Sequence, residues 1–380
     1  MNGPPAPAGR PAARPPGGLL GMLAMVAAVE AAIAGHRPDL ARPWAEDWRV
    51  AARAAVEKAP GCRVLCLGDS LVKHGVLPRA IEARTGLRAY GLAIGGGTVP
   101  AAYFLLRRAI GSGARPGAVV VDFAALMLDD PDPTPMLNYP ELADLRDGLD
   151  LAWTARDPGF FAAFAAGHLL PSCRWRFEIR DAVRAALGGV RLPGRRAILD
   201  HRRIWDREAG GQALPTGRDR PPGEDALIDG VSPASWSIGP TDRAYLERFL
   251  ALAGSRGVAV FWLLPPLCPE AHARRARRGS DAAYDRLARE VLAGHPHVVV
   301  LDARDSGYDD SVHRDHIHLD RRGAAVLTAD VGSIVADRLA ARSAGPRWVE
   351  LPAYAGRAGD EPPPALARSP GPTSTPRSAR

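Results

Sequence analysis

Three residues stand out for the chemistry they could do together. A serine sits in Gly68-Asp69-Ser70-Leu71, and an acid and an imidazole sit near the other end of the chain in Asp315-His316-Ile317-His318-Leu319. A serine hydroxyl is a weak nucleophile until a base takes its proton. Asp315 and His318 are three apart, so in a turn the carboxylate can hold the imidazole Nδ1–H and leave Nε2 for the serine. Gly-Asp-Ser alone is the ordinary make-up of a tight turn and helix cap. Its pairing with a downstream Asp-x-x-His points to nucleophilic catalysis.

Both motifs follow segments that read as buried strands. Five short apolar runs, rich in β-branched residues or bounded by turn residues, predict strands over 63–67, 87–92, 118–123, 258–264 and 298–301. Helical spacing covers 76–84, 101–110, 281–293 and 323–341. This alternation predicts a parallel sheet covered by helices on both faces, with ligands bound beyond the carboxyl ends of the strands. Ser70 falls on the first strand-to-helix turn, and its N–H can face the same space as its hydroxyl. Residues 129–241 break the pattern and read as an insertion forming a helical cap or lid beside the site. Its first part is helical, with Trp153, Phe160, Phe161, Phe164, Trp175 and Phe177 suited to a private mini-core. Its second part, rich in Gly, Pro and Arg, reads as loop. Residues 1–18 and 346–380 have the composition of disordered termini, 19–60 that of a helical segment, and 61–345 form the main domain.

The motifs resemble those of the SGNH hydrolases, also called GDSL esterases and lipases. Gly68-Asp69-Ser70-Leu71 is similar to the first block of that family and Asp315-His-Ile-His318-Leu319 to the last. The second block, which supplies a glycine N–H to the oxyanion, corresponds to Gly95-Gly96-Gly97, with Gly96 the best match and Gly95 or Gly97 as alternatives. The third block departs. Where the family has Gly-x-Asn-Asp, this chain has Asp122-Phe123-Ala124-Ala125-Leu126, and the nearest asparagine that could stand in is Asn138. The resemblance covers roughly 61–128 and 242–340. It implies a flavodoxin-like three-layer α/β/α sandwich with a central five-stranded parallel sheet. It also implies an ester hydrolase or O-acyltransferase with Ser70, His318 and Asp315 as triad, acting on an ester-bearing substrate such as an acylated carbohydrate, with no cofactor. No Gly-x-Ser-x-Gly occurs, which sets the chain apart from the α/β-hydrolases.

Two rival readings remain. His313, Asp315, His316 and His318 crowd within six positions and could serve a metal-dependent hydrolase, although no second ligand cluster completes the set. A domain without the third-block asparagine could also be a weak or inactive binding module. The formal charge of +7 comes almost wholly from arginines scattered among acids, so nucleic acid is not an expected partner. The densest basic run, 274–278, reads as a solvated loop or helix start. Four cysteines in 380 residues form no disulfide framework, and Cys62 and Cys66 read as small core residues. Residues 1–34 fit either an export signal or an amphipathic helix packed on the domain with Glu30 on its wet face. The apolar run is too short for a comfortable membrane span. Both export and a cytoplasmic location stay open.

Overall fold

The computed structural model describes residues 17–36, 42–128, 138–189, 194–219, 223–232, 236–341 and 345–354. Six strands, β1 (Val64–Leu67), β2 (Ala89–Gly91), β3 (Ala118–Val121), β4 (Ala259–Leu264), β5 (Val298–Asp302) and β6 (Trp348–Glu350), form one all-parallel sheet in the order β2-β1-β3-β4-β5-β6. The first five follow the doubly wound flavodoxin-like order.

Among the described residues two helices precede the sheet, α1 (Gly17–Gly35) and α2 (Pro43–Glu57). After β1 come α3 (Ser70–Gly75) and α4 (Pro78–Thr85), and after β2 comes α5 (Val99–Gly111). The long excursion after β3 carries α6 (Leu145–Ala155), α7 (Pro158–Leu169), α8 (Pro171–Arg174), α9 (Arg176–Leu187), α10 (Gly194–Arg207) and α11 (Glu224–Gly230). Helices α12 (Pro240–Ser255), α13 (Pro269–Arg278), α14 (Ser280–Gly294) and α15 (Arg321–Ala341) complete the layers.

Alternation along the strands feeds two cores. Leu65, Leu67, Val119, Val121, Val260 and Trp262 pack with α2, α5, α12 and α14, through Trp48, Leu105, Phe249 and Leu287. Val64, Cys66, Val120, Phe261 and Leu263 pack with α3, α4 and α15, through Val72, Ile81, Leu327 and Val331. A side chain of this kind contributes about 1.5–3 kcal/mol when fully buried. The near-continuous apolar strands are what a sheet covered on both faces requires. The cysteines are free thiols, and Cys62 and Cys66 are buried core residues as expected.

Four sequence expectations need correction. The sheet has six strands, because Trp348-Val349-Glu350 pairs with β5 inside the segment whose Pro- and Arg-rich composition suggested disorder from 346. Leu351 and Tyr354 are buried behind it, and the Tyr354 ring lies 4.8 Å from that of Tyr308. Residues 1–16 and 355–380 of the proposed disordered termini lie outside the described residues. The second half of the insertion holds α10 and α11, so it is not merely loop. Nor do the insertion aromatics form a private core. Phe160 and Phe164 join the main core, Trp175 pairs with Ile198 in a small patch, and Trp153 is 83% exposed.

The N-terminal segment differs as well. Glu30 does not face water but accepts from the Ser172 N–H at 2.8 Å and from its hydroxyl, tying α1 to α8. Most apolar side chains of α1 are exposed, among them Leu20, Leu23 and Met25. Among the described residues, Gly18–Gly35 is the one helix long and apolar enough by length and composition to cross a membrane, a test a signal sequence passes equally. The basic run 274–278 lies in the last turns of α13 instead of a loop. Arg274 pairs with Glu270, Asp225 and Asp229, Arg275 with Asp281, and Arg278 with Asp229.

Candidate active site

Ser70 opens α3 at the carboxyl end of β1, and the turn before it is built to hold it there. Asp69 caps the helix, accepting from Leu71 N–H at 2.6 Å. Gly68 has φ +125°, and a Cβ there would lie 1.7 Å from Asp122 Oδ1, so only glycine fits. That same oxygen accepts from the Asp69 N–H at 3.0 Å, which locks the turn to the end of β3.

The three sequence-predicted catalytic residues meet. Ser70 Oγ lies 2.8 Å from His318 Nε2, and His318 Nδ1 lies 2.8 Å from Asp315 Oδ2. Asp315 Oδ1 also accepts from the N–H groups of Ile317 and His318, at 3.0 and 2.8 Å, so the carboxylate shapes the turn that aims the imidazole. Burial alone would raise the Asp315 carboxyl. The His318 hydrogen bond and charge, with those two N–H groups, more than offset it and hold it well below the ordinary carboxylate range.

In the second glycine block two of the three N–H groups are taken. The Gly95 N–H donates to Asp47 Oδ2 at 3.0 Å and the Gly97 N–H to Ile94 O at 2.9 Å. Gly96, exposed at the tip, has no hydrogen bond to its N–H among the described residues. A Cβ on Gly97 would sit 2.5 Å from Gly68 O, so this glycine lets the loop lie directly against the turn that carries Ser70.

Asn138 is buried before a short 3₁₀ turn and lines a cavity with Trp44, Arg174, Trp175 and Phe177, and none of its described contacts is with Ser70, Gly96 or His318. In the third block, Ala124 clusters with Leu71, the residue after Ser70, and with Met127 and Ile317. Ala125 faces the main core instead, and its carbonyl accepts from Trp236 Nε1 at 2.8 Å.

The histidine-rich segment does not converge as a metal centre. His318 spends both ring nitrogens on Asp315 and Ser70, while His313 is fully buried with Nδ1 2.9 Å from Asp309 O. Among the described residues no three His, Cys, Asp or Glu side chains gather as a ligand set. A bridge pairs the buried His313 with Leu319.

Sequence reasoning missed His74. Its ring meets that of His318 edge-on at 5.3 Å, and its Nδ1 lies 2.8 Å from Gln212 O, a backbone group of the insertion. Burial first, then the Lys73 and His318 charges, push its pKa down to about 3, so it braces His318 as a neutral ring. Its signal was Ser70-x-x-x-His74, a spacing that sets two side chains on one helix face.

Asp122 was also missed. Burial, then the neighbouring Asp69 charge, push its carboxyl well above the ordinary value. Such a group contributes stability that is full below its unfolded pKa of about 4 and is lost as pH rises through the folded value. Asp122→Asn keeps an acceptor for the Asp69 N–H and removes the titration. Its Tm should exceed that of the wild type by about 2–4 °C at pH 8, the gap closing near pH 4. Thermal melts across that range check this, and parallel curves for the two proteins contradict it.

Compared with known proteins, the chain matches no family model and no curated relative.

Proposed function

We propose that this chain is a serine-dependent ester hydrolase or O-acyltransferase of the SGNH type, working through an acyl-enzyme on Ser70. The observation that carries the reading is the unbroken hydrogen-bond chain from Ser70 Oγ through His318 to Asp315, at 2.8 Å for each link. In that geometry Ser70 attacks the ester carbonyl while His318 Nε2 takes its proton and Asp315 stabilises the imidazolium. The N–H groups of Ser70 and Gly96 receive the developing oxyanion. His318 then protonates the leaving alkoxide, and water or a second hydroxyl resolves the acyl-enzyme. Leu71, Ala124, Met127 and Ile317 offer an apolar wall to a small acyl group beside the nucleophile. An acylated carbohydrate is the proposed substrate class.

The purified protein should hydrolyse p-nitrophenyl acetate, and EDTA should leave the rate unchanged, because the triad needs no metal. Loss of turnover with EDTA and its return with zinc would favour a metal-dependent hydrolase built on His313, His316 and His318. His316→Ala would then be as damaging as His318→Ala.

A further inference from the structure

Behind the loop that carries Gly96 lies a buried charge network that takes no part in the proton transfers. Asp47, on α2, is fully buried. Its Oδ2 accepts from Lys73 Nζ at 2.6 Å and from the Gly95 N–H at 3.0 Å, and its Oδ1 lies 2.7 Å from His201 Nε2. Lys73 is itself buried, with its ammonium over the Trp205 ring at 5.6 Å. The burial penalty on the Asp47 carboxylate is outweighed by the Lys73 charge and the His201 hydrogen bond, which bring its pKa down to about 2. The carboxylate is therefore a fixed anion.

These partners come from four separate segments. Lys73 lies on the nucleophile's own helix, three residues past Ser70, Gly95 on the oxyanion loop, His201 on α10 of the insertion, and Asp47 on α2. A buried ion pair that only closed a core would need no loop amide. Here one acceptor position is spent on the Gly95 N–H, a strong charge-assisted bond that fixes the peptide next to Gly96. An oxyanion donor is effective only when aimed before the charge develops.

We propose that Asp47 is a positioning residue that holds the loop so that the Gly96 N–H faces the carbonyl oxygen on Ser70, with Lys73 and His201 locking it to the nucleophile helix and the insertion. This inference rests on the acyl-transfer reading of the site. It also assigns α10 to the back wall of the oxyanion loop, not to a lid over the site.

Two double variants of the full chain isolate the hydrogen bond. Asp47→Asn/Lys73→Met and Asp47→Leu/Lys73→Met both lack the buried charges, but only the first keeps an acceptor for Gly95. Amide exchange of the 92–98 segment and steady-state kinetics on p-nitrophenyl acetate are then compared. The leucine variant should exchange the Gly95 amide at least about tenfold faster and lose about thirtyfold in kcat with KM within about twofold. The asparagine variant should keep its protection and lose less than about fivefold in kcat. Equal exchange and equal kcat in the two overturn the proposal, as does a loosened loop with unchanged kcat. Should the leucine variant fail to fold, Gly95→Ala serves. Its Cβ would lie 3.2 Å from Asp47 Oδ2 and press the loop off the carboxylate, so a silent Gly95→Ala also overturns it. A wild type that protects Gly95 through Asp47 but neither cleaves esters nor reacts with a fluorophosphonate places the failure in the acyl-transfer reading instead.

Discussion

Ser70→Ala and His318→Ala are each expected to lower kcat on p-nitrophenyl acetate by about a thousandfold or more, and the double variant by little beyond either one. The near-equality follows from the geometry. Ser70 is a nucleophile only while His318 Nε2 accepts its proton at 2.8 Å, and His318 has no proton to take once the hydroxyl is gone. Asp315→Asn should be damaging too, since it removes the charge that stabilises the imidazolium and can present Nδ2 to the ring nitrogen that now donates. Ser70→Ala touches neither the core nor the Asp315 carboxylate, so its melting curve should stay close to wild type. Asp315→Asn gives up the stabilisation that depresses that carboxyl and should melt lower at neutral pH. A Ser70→Ala protein that kept most of its activity would rule out the serine mechanism.

The second large effect runs upward. In the tetrahedral intermediate the oxyanion carries nearly a full charge, and each fixed donor there stabilises it by roughly 3 kcal/mol. In the proposed mechanism the donors are the N–H groups of Ser70 and Gly96, and where the resembling family has an asparagine this chain has alanine. Ala124 lies against Leu71, next to the nucleophile, whereas Ala125 points into the main core and the Asn138 contacts lie elsewhere. Ala124→Asn should therefore raise kcat by about a hundredfold with little change in KM, while Ala125→Asn should destabilise the fold and Asn138→Ala should leave kcat within a few fold. Steady-state kinetics on the three variants test this. A null result at Ala124 would mean that the oxyanion is held by donors other than those named.

The triad was legible because its residues lie in two short contiguous motifs, one directly after β1 and the other directly before α15, so local spacing carries the geometry. The doubly wound sheet was legible for a similar reason, since its strands are short apolar runs separated by helical spacing. Legibility failed where contacts join distant segments. Asp47, Lys73, Gly95 and His201 share one carboxylate across more than 150 positions, and no local pattern announces that. The available hint was compositional, because Lys73 is one of two lysines in a chain whose other basic residues are arginines. In the glycine block Gly96 was the best match, but Gly95 and Gly97 stayed open, because only the fold shows which N–H groups Asp47 and Ile94 have taken. Strand β6 was hidden by its neighbours. Two residues of strand propensity, Trp348 and Val349, do not stand out beside a Pro- and Arg-rich tail, yet the open edge of β5 supplies the pairing that makes Trp348–Glu350 a strand.

The most direct measurement is reaction of the intact protein with a fluorophosphonate, followed by mass spectrometry and peptide mapping. A triad with Ser70 as nucleophile predicts one adduct per chain, on the peptide carrying Ser70, formed far more slowly in His318→Ala and absent in Ser70→Ala. No adduct on the folded wild type, or one mapped to another residue, would contradict it.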